Sequence, residues 1–148
     1  MWYIIKAYSQ FLRKATNQHG VHSPFVYTFV TKCLYRKTPE EAKKQLKAYR
    51  NSLRQSDEVI EVTDFGAGSR VFKSNRRAVK DIAKHAGARF SRMKLLYRVV
   101  SYFKPKAILE LGTSVGLASV SLALPKTGKV ISLEGCPQTA TVAQKHLK

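Results

Sequence analysis

Hydrophobic residues recur every three or four positions over most of the first hundred residues, which predicts a series of amphipathic helices. The first helix is expected over residues 2–17. The second should begin at Ser23, whose side chain can cap it, with Pro24 in the first helical position. The third should begin at Thr38, and Glu41 can complete a capping box with that threonine.

Two further helices are expected before this pattern changes. Ser74 should cap the fourth helix. Ser91 should cap the fifth, which Pro105 stops. Between the third and fourth helices lies EVTDFGAGSR, residues 61–70, which we interpret as an extended segment with a glycine turn and no partner strand. The alternative is a loop that folds over a neighbouring site.

After Pro105 the pattern changes to short apolar runs separated by glycine and proline. KAILELG and KVISLE are predicted to be strands. LASVSLAL, which follows the turn GTSVG, and TATVAQKHLK, which follows Pro137, are predicted to be helices. Strand, helix, strand and helix with such short links form a βαβα unit, and its two strands should be parallel.

The segment 61–70 and the later GTSVG turn are both candidates for a nucleotide site. In such a site the first strand ends in glycines, and the free N–H groups of the next helix face the anionic part of the ligand. A second strand ends about 20 residues later in an acid that binds the ribose hydroxyls. Gly112 and Gly116 bracket such a turn, and Glu134 ends the second strand. The earlier segment has no such acid, so the sequence favours the GTSVG turn.

The spacing of this turn also distinguishes among cofactors. Dinucleotide sites need Gly-x-Gly-x-x-Gly so that the backbone can approach a pyrophosphate, whereas the glycines here are Gly112 and Gly116. Glu110, two positions before the first glycine, would repel a pyrophosphate but can accept a hydrogen bond from an ammonium group. A P-loop is excluded because no Gly-Lys-Ser/Thr follows. The residues favour a cofactor with an amino-acid end and an adenosine end.

The chain is strongly basic, since its 148 residues carry 27 Lys and Arg against 9 Asp and Glu, a formal net charge of +18. Such a charge suits RNA, DNA, an anionic membrane or a small anionic molecule, or it belongs to solvated helix faces. The densest basic patch is expected on a helix around Arg76 and Arg77. A basic nucleic-acid-binding module is therefore the alternative function, while membrane attachment through the first helix is the least favoured.

Metal sites and disulfides are not indicated by the sequence. Its two cysteines, Cys33 and Cys136, lie far apart, so we expect reduced thiols and a cytoplasmic protein. His19 and His22 are three residues apart, but no other His or Cys lies near them in the sequence. We therefore predict no metal site. Cys136 is expected to be a small buried residue near the adenine edge of the cofactor site rather than a reactive thiol.

Three segments resemble a known family. LELGTSVG, followed by ISLEGCP and TVAQKHL, resembles the first two motifs of class I S-adenosyl-L-methionine-dependent methyltransferases. LLYRVVSYFKPK and LPKTGKV are most similar to the small-molecule O-methyltransferase branch, which catechol methyltransferase typifies. The resemblance covers residues 90–148 and implies S-adenosyl-L-methionine as the cofactor.

The same resemblance implies roles for particular residues. Glu110 and the turn 112–116 would hold the methionine end of the cofactor, and Glu134 would bind the ribose. The implied cofactor-binding residues are Glu110, Gly112, Thr113, Ser114, Gly116 and Glu134. Two residues depart from the pattern of the branch. Ala118 stands where a serine often reaches the cofactor carboxylate, and Gly135 stands where a large apolar residue usually covers the adenine.

The resemblance also implies an α/β, Rossmann-like methyltransferase fold, truncated after the second parallel strand and preceded by a helical N-terminal region. We expect residues 1–89 to form the basic helical region and 90–148 the first βαβα part of the cofactor-binding domain. The later strands, whose residues position the acceptor or a metal, are absent, so we interpret the chain as a methyltransferase fragment that is inactive alone.

No catalytic residue is assigned. The expected partner is a small molecule that accepts the methyl group on an oxygen. The alternative is that the chain is a fragment of an RNA methyltransferase, whose acceptor is RNA. Because the two-stranded sheet leaves strand edges and apolar faces uncovered, self-association into oligomers is also expected.

Overall fold

The computed structural model describes residues 2–15, 18–65, 68–69 and 71–147 and shows a mixed α/β protein. Its residues form two compact units, of which the first ends at Arg36 and the second begins at Lys37. The first unit holds α1 (Trp2–Lys14), a 3₁₀ turn (Gln18–Gly20) and α2 (Pro24–Phe29), which continues as a π-helical turn (Val30–Leu34). The second holds α3 (Glu40–Arg54), β1 (Val59–Glu61), β2 (Arg76–Ala78), α4 (Val79–His85), α5 (Phe90–Phe103), β3 (Ala107–Leu111), α6 (Leu117–Ala123), β4 (Lys129–Leu133) and α7 (Pro137–His146).

In the first unit, α2 begins as the sequence predicts. Ser23 precedes the helix in an extended conformation, and its hydroxyl accepts the Val26 N–H at 3.3 Å, while Pro24 lies in the first turn. α1 ends at Lys14, and residues 16 and 17 of the predicted helix lie outside the described part of the chain. None of the described helices has the length and apolar character needed to cross a membrane.

The core of the second unit is built from its helices and β1. The buried cluster comprises Leu46, Leu53, Ile60, Val79, Ile82, Ala83, Met93, Val115, Leu117 and Val142. Val115 of the GTSVG turn is fully buried in this cluster, so the core fixes the position of the turn. Residues 37–89 belong to the same compact unit as the βαβα segment, and the functional division expected after residue 89 stays a prediction.

The predicted cap of α3 is wrong. The helix begins at Glu40, and the Thr38 hydroxyl accepts a hydrogen bond from the Arg98 guanidinium at 2.8 Å. Glu41 accepts from the Gln45 side chain at 2.8 Å and does not close a capping box. A charged donor from α5 forms a stronger hydrogen bond than a local backbone N–H, which explains why the threonine turns away from its own helix.

The start of the segment 61–70 has a partner strand, contrary to the sequence prediction, because Glu61 is the last residue of β1. β1 pairs antiparallel with β2, with Ile60 opposite Arg77. Ser74 therefore does not cap α4, which begins at Val79, and its hydroxyl accepts a backbone N–H two residues later at 3.1 Å. Pairing satisfies the backbone groups of both short strands at once, which an earlier start of α4 would not do. Residues 66, 67 and 70 lie outside the described part of the chain.

The predicted βαβα unit is confirmed. β3 and β4 are parallel, with Glu110 opposite Ser132, and α6 connects them. The preceding helix α5 begins at Phe90, so Ser91 is not its cap, but the helix ends before Pro105 as predicted. The carboxyl ends of both strands therefore lie at the same edge of this small sheet, next to the GTSVG turn.

The β3–β4 sheet has one covered and one exposed face. Glu110 and Ser132 lie on the covered face, where α6 packs against β4. The opposite face carries four large aliphatic side chains in two cross-strand pairs, Leu109 with Ile131 and Leu111 with Leu133. All four are exposed, Leu111 by 75% and Leu109 by 64%.

Candidate functional site

The GTSVG turn leaves β3 through residues that adopt positive φ. Gly112 has a φ of 90° and Ser114 a φ of 49°, so the chain changes direction directly after the strand. The N–H groups of Gly112 and Thr113 both donate to the Leu133 carbonyl, at 2.9 and 3.2 Å. These bonds attach the turn to the last residue of β4 and bring the ends of the two parallel strands together.

Gly116 ends the turn, with a φ of 81°, and precedes α6. A β-carbon at this position would overlap the Tyr49 hydroxyl, which donates to the Val115 carbonyl at 2.9 Å. Burial and, to a smaller extent, the negative charge of Glu110 raise the pKa of Tyr49 to about 12. Glycine is therefore needed here both for its backbone conformation and for the space that α3 occupies.

Glu110 is buried on the covered face of the sheet, next to the turn. Its Oε2 accepts hydrogen bonds from the hydroxyls of Ser119 and Ser132, both at 2.6 Å. Because Ser132 gives its proton to Glu110, the Thr113 hydroxyl, 2.5 Å away, donates to Ser132. A chain of hydroxyls thus connects the buried carboxylate to the turn. Sequence reasoning missed both serines, although the parallel register that pairs Ser132 with Glu110 would have indicated one of them.

Glu134 follows β4 and connects the turn to the start of α7. Its Oε2 accepts the Ser114 N–H at 2.6 Å, and its Oε1 accepts the Cys136 N–H at 3.0 Å. Hydrogen bonds to an ionised acceptor are stronger than those between neutral groups. The acid that ends β4 is therefore held directly against the glycine turn.

A cavity of about 160 Å³ lies beside Glu134. Ser114 and Cys136 also line it, and the β1–β2 hairpin contributes Thr63 and Arg77. The remaining lining residues are Val62, Ile82, Ala86 and Thr139. Val62 and Thr63 of the EVTDFGAGSR segment therefore lie beside Glu134, and the alternative interpretation, a loop that folds over a ligand site, stays a prediction. Sequence reasoning missed Thr63 and Arg77 as lining residues.

A second cavity, of about 340 Å³, is lined by Thr113, Ser132 and Glu134 together with residues of α7. Glu134 therefore borders two cavities, one towards the hairpin and one that Thr113 and Ser132 also line. A ligand in either cavity would contact this carboxylate, so Glu134 is the common element of the site.

Cys136 precedes α7 and lines the first cavity. It is 2% exposed, which agrees with the predicted buried position, and its Sγ accepts the Thr63 N–H at 3.4 Å. Burial raises the pKa of this thiol, but its hydrogen bonds, among them the one from the Thr63 N–H, outweigh burial and hold the pKa below its usual value. The thiol and Glu134 thus lie side by side in the lining of this cavity.

The structure brings the predicted site residues together. The turn and strand-end residues meet around one carboxylate, and these are Gly112, Thr113, Ser114, Gly116 and Glu134. Glu110 lies beneath them and is connected to the turn through Ser132. Within the described ranges, no group of three or more His, Cys, Asp or Glu side chains could hold a metal ion.

Comparison with known proteins shows a similarity that covers part of the chain. No family model matches the chain, and no solved structure matches it. Over 56 residues the chain is 43% identical to a catechol O-methyltransferase of Niastella koreensis, and the matched part is 36% of this chain and 25% of that relative. The chain thus spans about a quarter of the length of the curated relative it matches. At this coarse level, the chain is similar to part of an O-methyltransferase.

Proposed function

We propose that this chain contributes the methyl-donor site of an S-adenosyl-L-methionine-dependent methyltransferase that acts on a small-molecule oxygen. The observation that carries the proposal is the hydrogen bond between Glu134 and Ser114, which brings the acid after β4 against the glycine turn after β3. In open α/β sheets, ligands bind in the crevice at the carboxyl ends of parallel strands. The partial similarity to a catechol O-methyltransferase supports the class of reaction.

The described residues fit the chemical groups of this donor. When bound, the donor supplies a methyl group carried on a positively charged sulfonium. The carboxylate of Glu110 provides negative charge beneath the turn for a cationic ligand, and the hydroxyls of Ser119 and Ser132 hold its orientation. Glu134 offers acceptor oxygens beside the turn, as vicinal ribose hydroxyls require.

Methyl transfer depends chiefly on alignment of the acceptor oxygen with the methyl group and its leaving sulfur. The residues of this chain would bind and orient the donor, with Glu134 fixing its ribose and the turn fixing its amino-acid end. Because the chain spans about a quarter of its relative, the proposal concerns donor binding and assigns no proton transfer to a described residue.

Calorimetric titration with S-adenosylhomocysteine, the product form of the donor, tests the proposal. We expect saturable binding to the wild-type chain and at least a tenfold loss of affinity for Glu134→Gln, since loss of a hydrogen bond to a charged group costs about 1.5–3 kcal/mol. Glu58→Gln is the matched control because that surface carboxylate pairs with Lys145 at 3.1 Å, away from the cavities.

Two results would contradict the proposal. One is the absence of binding by a wild-type chain that circular dichroism shows to be folded. The other is equal affinity in the wild type, Glu134→Gln and Glu58→Gln, which would show that the ligand binds elsewhere.

A second candidate function is binding of a nucleic acid through its phosphates. Three lysines of α3, Lys43, Lys44 and Lys47, line a cavity of about 370 Å³ together with Glu40 and Phe90. Lysines beside an aromatic ring are a common arrangement in proteins that bind single-stranded nucleic acids. The net charge of +18 would add long-range attraction.

Filter binding of a single-stranded RNA at about 50 and 200 mM salt tests this candidate. We expect affinity to fall steeply with salt and to be lost in Lys44→Glu/Lys47→Glu. It should remain in Lys104→Glu/Lys129→Glu, which changes two exposed lysines of another region by the same charge. Equal loss in both double variants would indicate attraction by net charge without a defined site.

A further inference from the structure

We propose that the β1–β2 hairpin forms the base-binding wall of the donor site, with Arg77 and Phe65 as specificity-determining contacts for the purine of the donor. This inference rests on the proposed function and extends it to a segment outside the βαβα unit. It assigns a role to residues 62–65 and to Arg77 of β2, which lies beside Asp64.

The hairpin is connected to the site by a continuous series of hydrogen bonds. The Thr63 N–H donates to the Cys136 thiol at 3.4 Å, and the Cys136 N–H donates to Glu134 at 3.0 Å. Glu134 in turn accepts the Ser114 N–H at 2.6 Å. The hairpin, the strand end and the glycine turn therefore meet at one place.

Arg77 is held in a fixed orientation at the cavity. Its side chain is only 9% exposed, and its Nε donates to the Ser74 carbonyl at 3.1 Å. Its Nη2 lies 3.5 Å from Asp64, and its guanidinium lies over the Phe72 ring, 4.9 Å from the ring centre. The sequence prediction that Arg77 lies in a basic patch on a helix is therefore wrong, because this arginine lies on β2. A planar, oriented donor of this kind suits the acceptor atoms of a planar ligand.

The cavity has the lining that a flat heterocycle requires and room for one of its rings. Its volume is about 160 Å³, and a cavity of about 150 Å³ accommodates a ring the size of benzene. Val62, Ile82 and Ala86 provide apolar surface, whereas Arg77 and Glu134 provide a donor and an acceptor. A purine attached to a ribose presents ring acceptors and sugar hydroxyls next to each other, which matches this pairing.

Phe65 provides an aromatic surface outside the lining of the cavity, next to the residue that follows Glu134. A β-carbon at Gly135, the residue after Glu134, would lie 3.2 Å from two carbons of the Phe65 ring. The ring is 77% exposed, so it is open to contact with a ligand. A purine is a suitable partner for such a ring, because base–aromatic stacking is worth about 1–3 kcal/mol.

Calorimetry with two ligands distinguishes contacts with the base from contacts with the amino-acid end of the donor. S-adenosylhomocysteine contains both, and 5′-methylthioadenosine contains the adenosine without the amino acid. We expect Arg77→Met and Phe65→Ala each to weaken both ligands by the same factor, about tenfold. Arg77→Lys, which keeps the charge without the planar group, should recover only part of the loss.

Each variant has a matched control in the same hairpin. Arg76→Met removes the neighbouring, exposed arginine, and Val59→Ala truncates another exposed apolar residue of β1. Both should bind like the wild type. A loss confined to S-adenosylhomocysteine would place Arg77 at the amino-acid end and overturn the assignment to the base.

Alkylation of Cys136 provides a readout that does not depend on the folding of a variant. Because Cys136 lines the same cavity, 5′-methylthioadenosine should slow its alkylation at least fivefold in the wild-type chain, compared with the same chain without ligand. Binding without protection of Cys136, or with no effect of Arg77→Met and Phe65→Ala, would overturn this inference alone. Absence of any binding to the wild type would overturn the proposed function, and this inference with it.

Discussion

The carboxylate of Glu134 accepts the backbone N–H of Ser114 at 2.6 Å, across the gap between the ends of β4 and β3. Ser114 has a φ of 49°, in the left-handed region that non-glycine residues rarely adopt. Because the same carboxylate also accepts the Cys136 N–H, one side chain holds both the turn and the start of α7. The candidate cofactor-binding acid is thus also a structural element of its own site.

Replacement of this carboxylate should therefore lower stability. Glu134→Ala leaves the N–H groups of Ser114 and Cys136 without their acceptor, and we expect the free energy of unfolding to fall by about 1–3 kcal/mol. Urea denaturation followed by circular dichroism measures the change. Glu58→Ala, which breaks the surface pair with Lys145, should cost less than about 1 kcal/mol. Equal effects of the two substitutions would show that Glu134 does not hold the turn.

The two glycines of the turn should differ in their tolerance of alanine. At Gly112 no atom lies within 4 Å of an added β-carbon, so Gly112→Ala costs only the backbone strain of a positive φ, about 1–2 kcal/mol. At Gly116 the strain is joined by overlap with the Tyr49 hydroxyl, so Gly116→Ala should cost more.

A double-mutant cycle isolates the contribution of the overlap. Tyr49→Phe removes the hydroxyl, and we expect it to destabilise the Gly116→Ala background less than it destabilises the wild type. Urea denaturation of the four proteins gives the interaction energy. Additive effects would mean that backbone conformation alone requires glycine at this position.

The parts of the fold that the sequence predicted depend on local patterns. Short apolar runs separated by GTSVG and PKTG indicate the βαβα unit, and the geometry of parallel strands then places Glu134 next to the turn. The burial of Glu110 could not be predicted from local patterns. It depends on hydrogen bonds from the hydroxyls of Ser119 and Ser132, which belong to two different elements.

The sequence did not predict the β1–β2 hairpin, and the reason is physical. β2 consists of Arg76, Arg77 and Ala78, a composition that is typical of a solvated helix and not of a strand. It is extended because β1 is available to pair with it, and Arg77 is enclosed because Phe72 and Asp64 surround its guanidinium. Tertiary contacts decide both features, as they decide the partner of Thr38.

Tyr49 should make the stability of the second unit fall at alkaline pH. Its pKa is raised from 10.0 to about 12 in the folded chain, so between these values the folded state holds a proton that the unfolded state has released. By linkage, this contribution to stability is fully present below pH 10 and is lost as the pH rises towards 12.

The comparison of wild type with Tyr49→Phe isolates this contribution from the other titrating groups. Urea midpoints measured between pH 9 and 11.5 should fall more steeply with pH for the wild type than for the variant. The difference between the two slopes should correspond to the release of about one proton. Parallel slopes would show that Tyr49 titrates alike in the folded and unfolded states.

The exposed face of the β3–β4 sheet should drive self-association. Leu109, Leu111, Ile131 and Leu133 form two apolar cross-strand pairs on this face, and apolar patches that are continuous across strands favour contact with another apolar surface. We expect the apparent mass of the chain, measured by size-exclusion chromatography with light scattering, to rise with concentration. Leu109→Lys/Leu111→Lys should reduce the mass to that of a monomer, because charges on this face oppose pairing.

A substitution of an exposed apolar residue by lysine on the other sheet serves as the control. Val59→Lys changes an apolar residue of β1 that is 54% exposed, and it should leave the association unchanged. The unfolding midpoint of Leu109→Lys/Leu111→Lys at low concentration should match that of the wild type within error, since neither leucine is buried in the described chain. If the double variant associates as strongly as the wild type, the β3–β4 face is not the contact, and the association must arise from another surface.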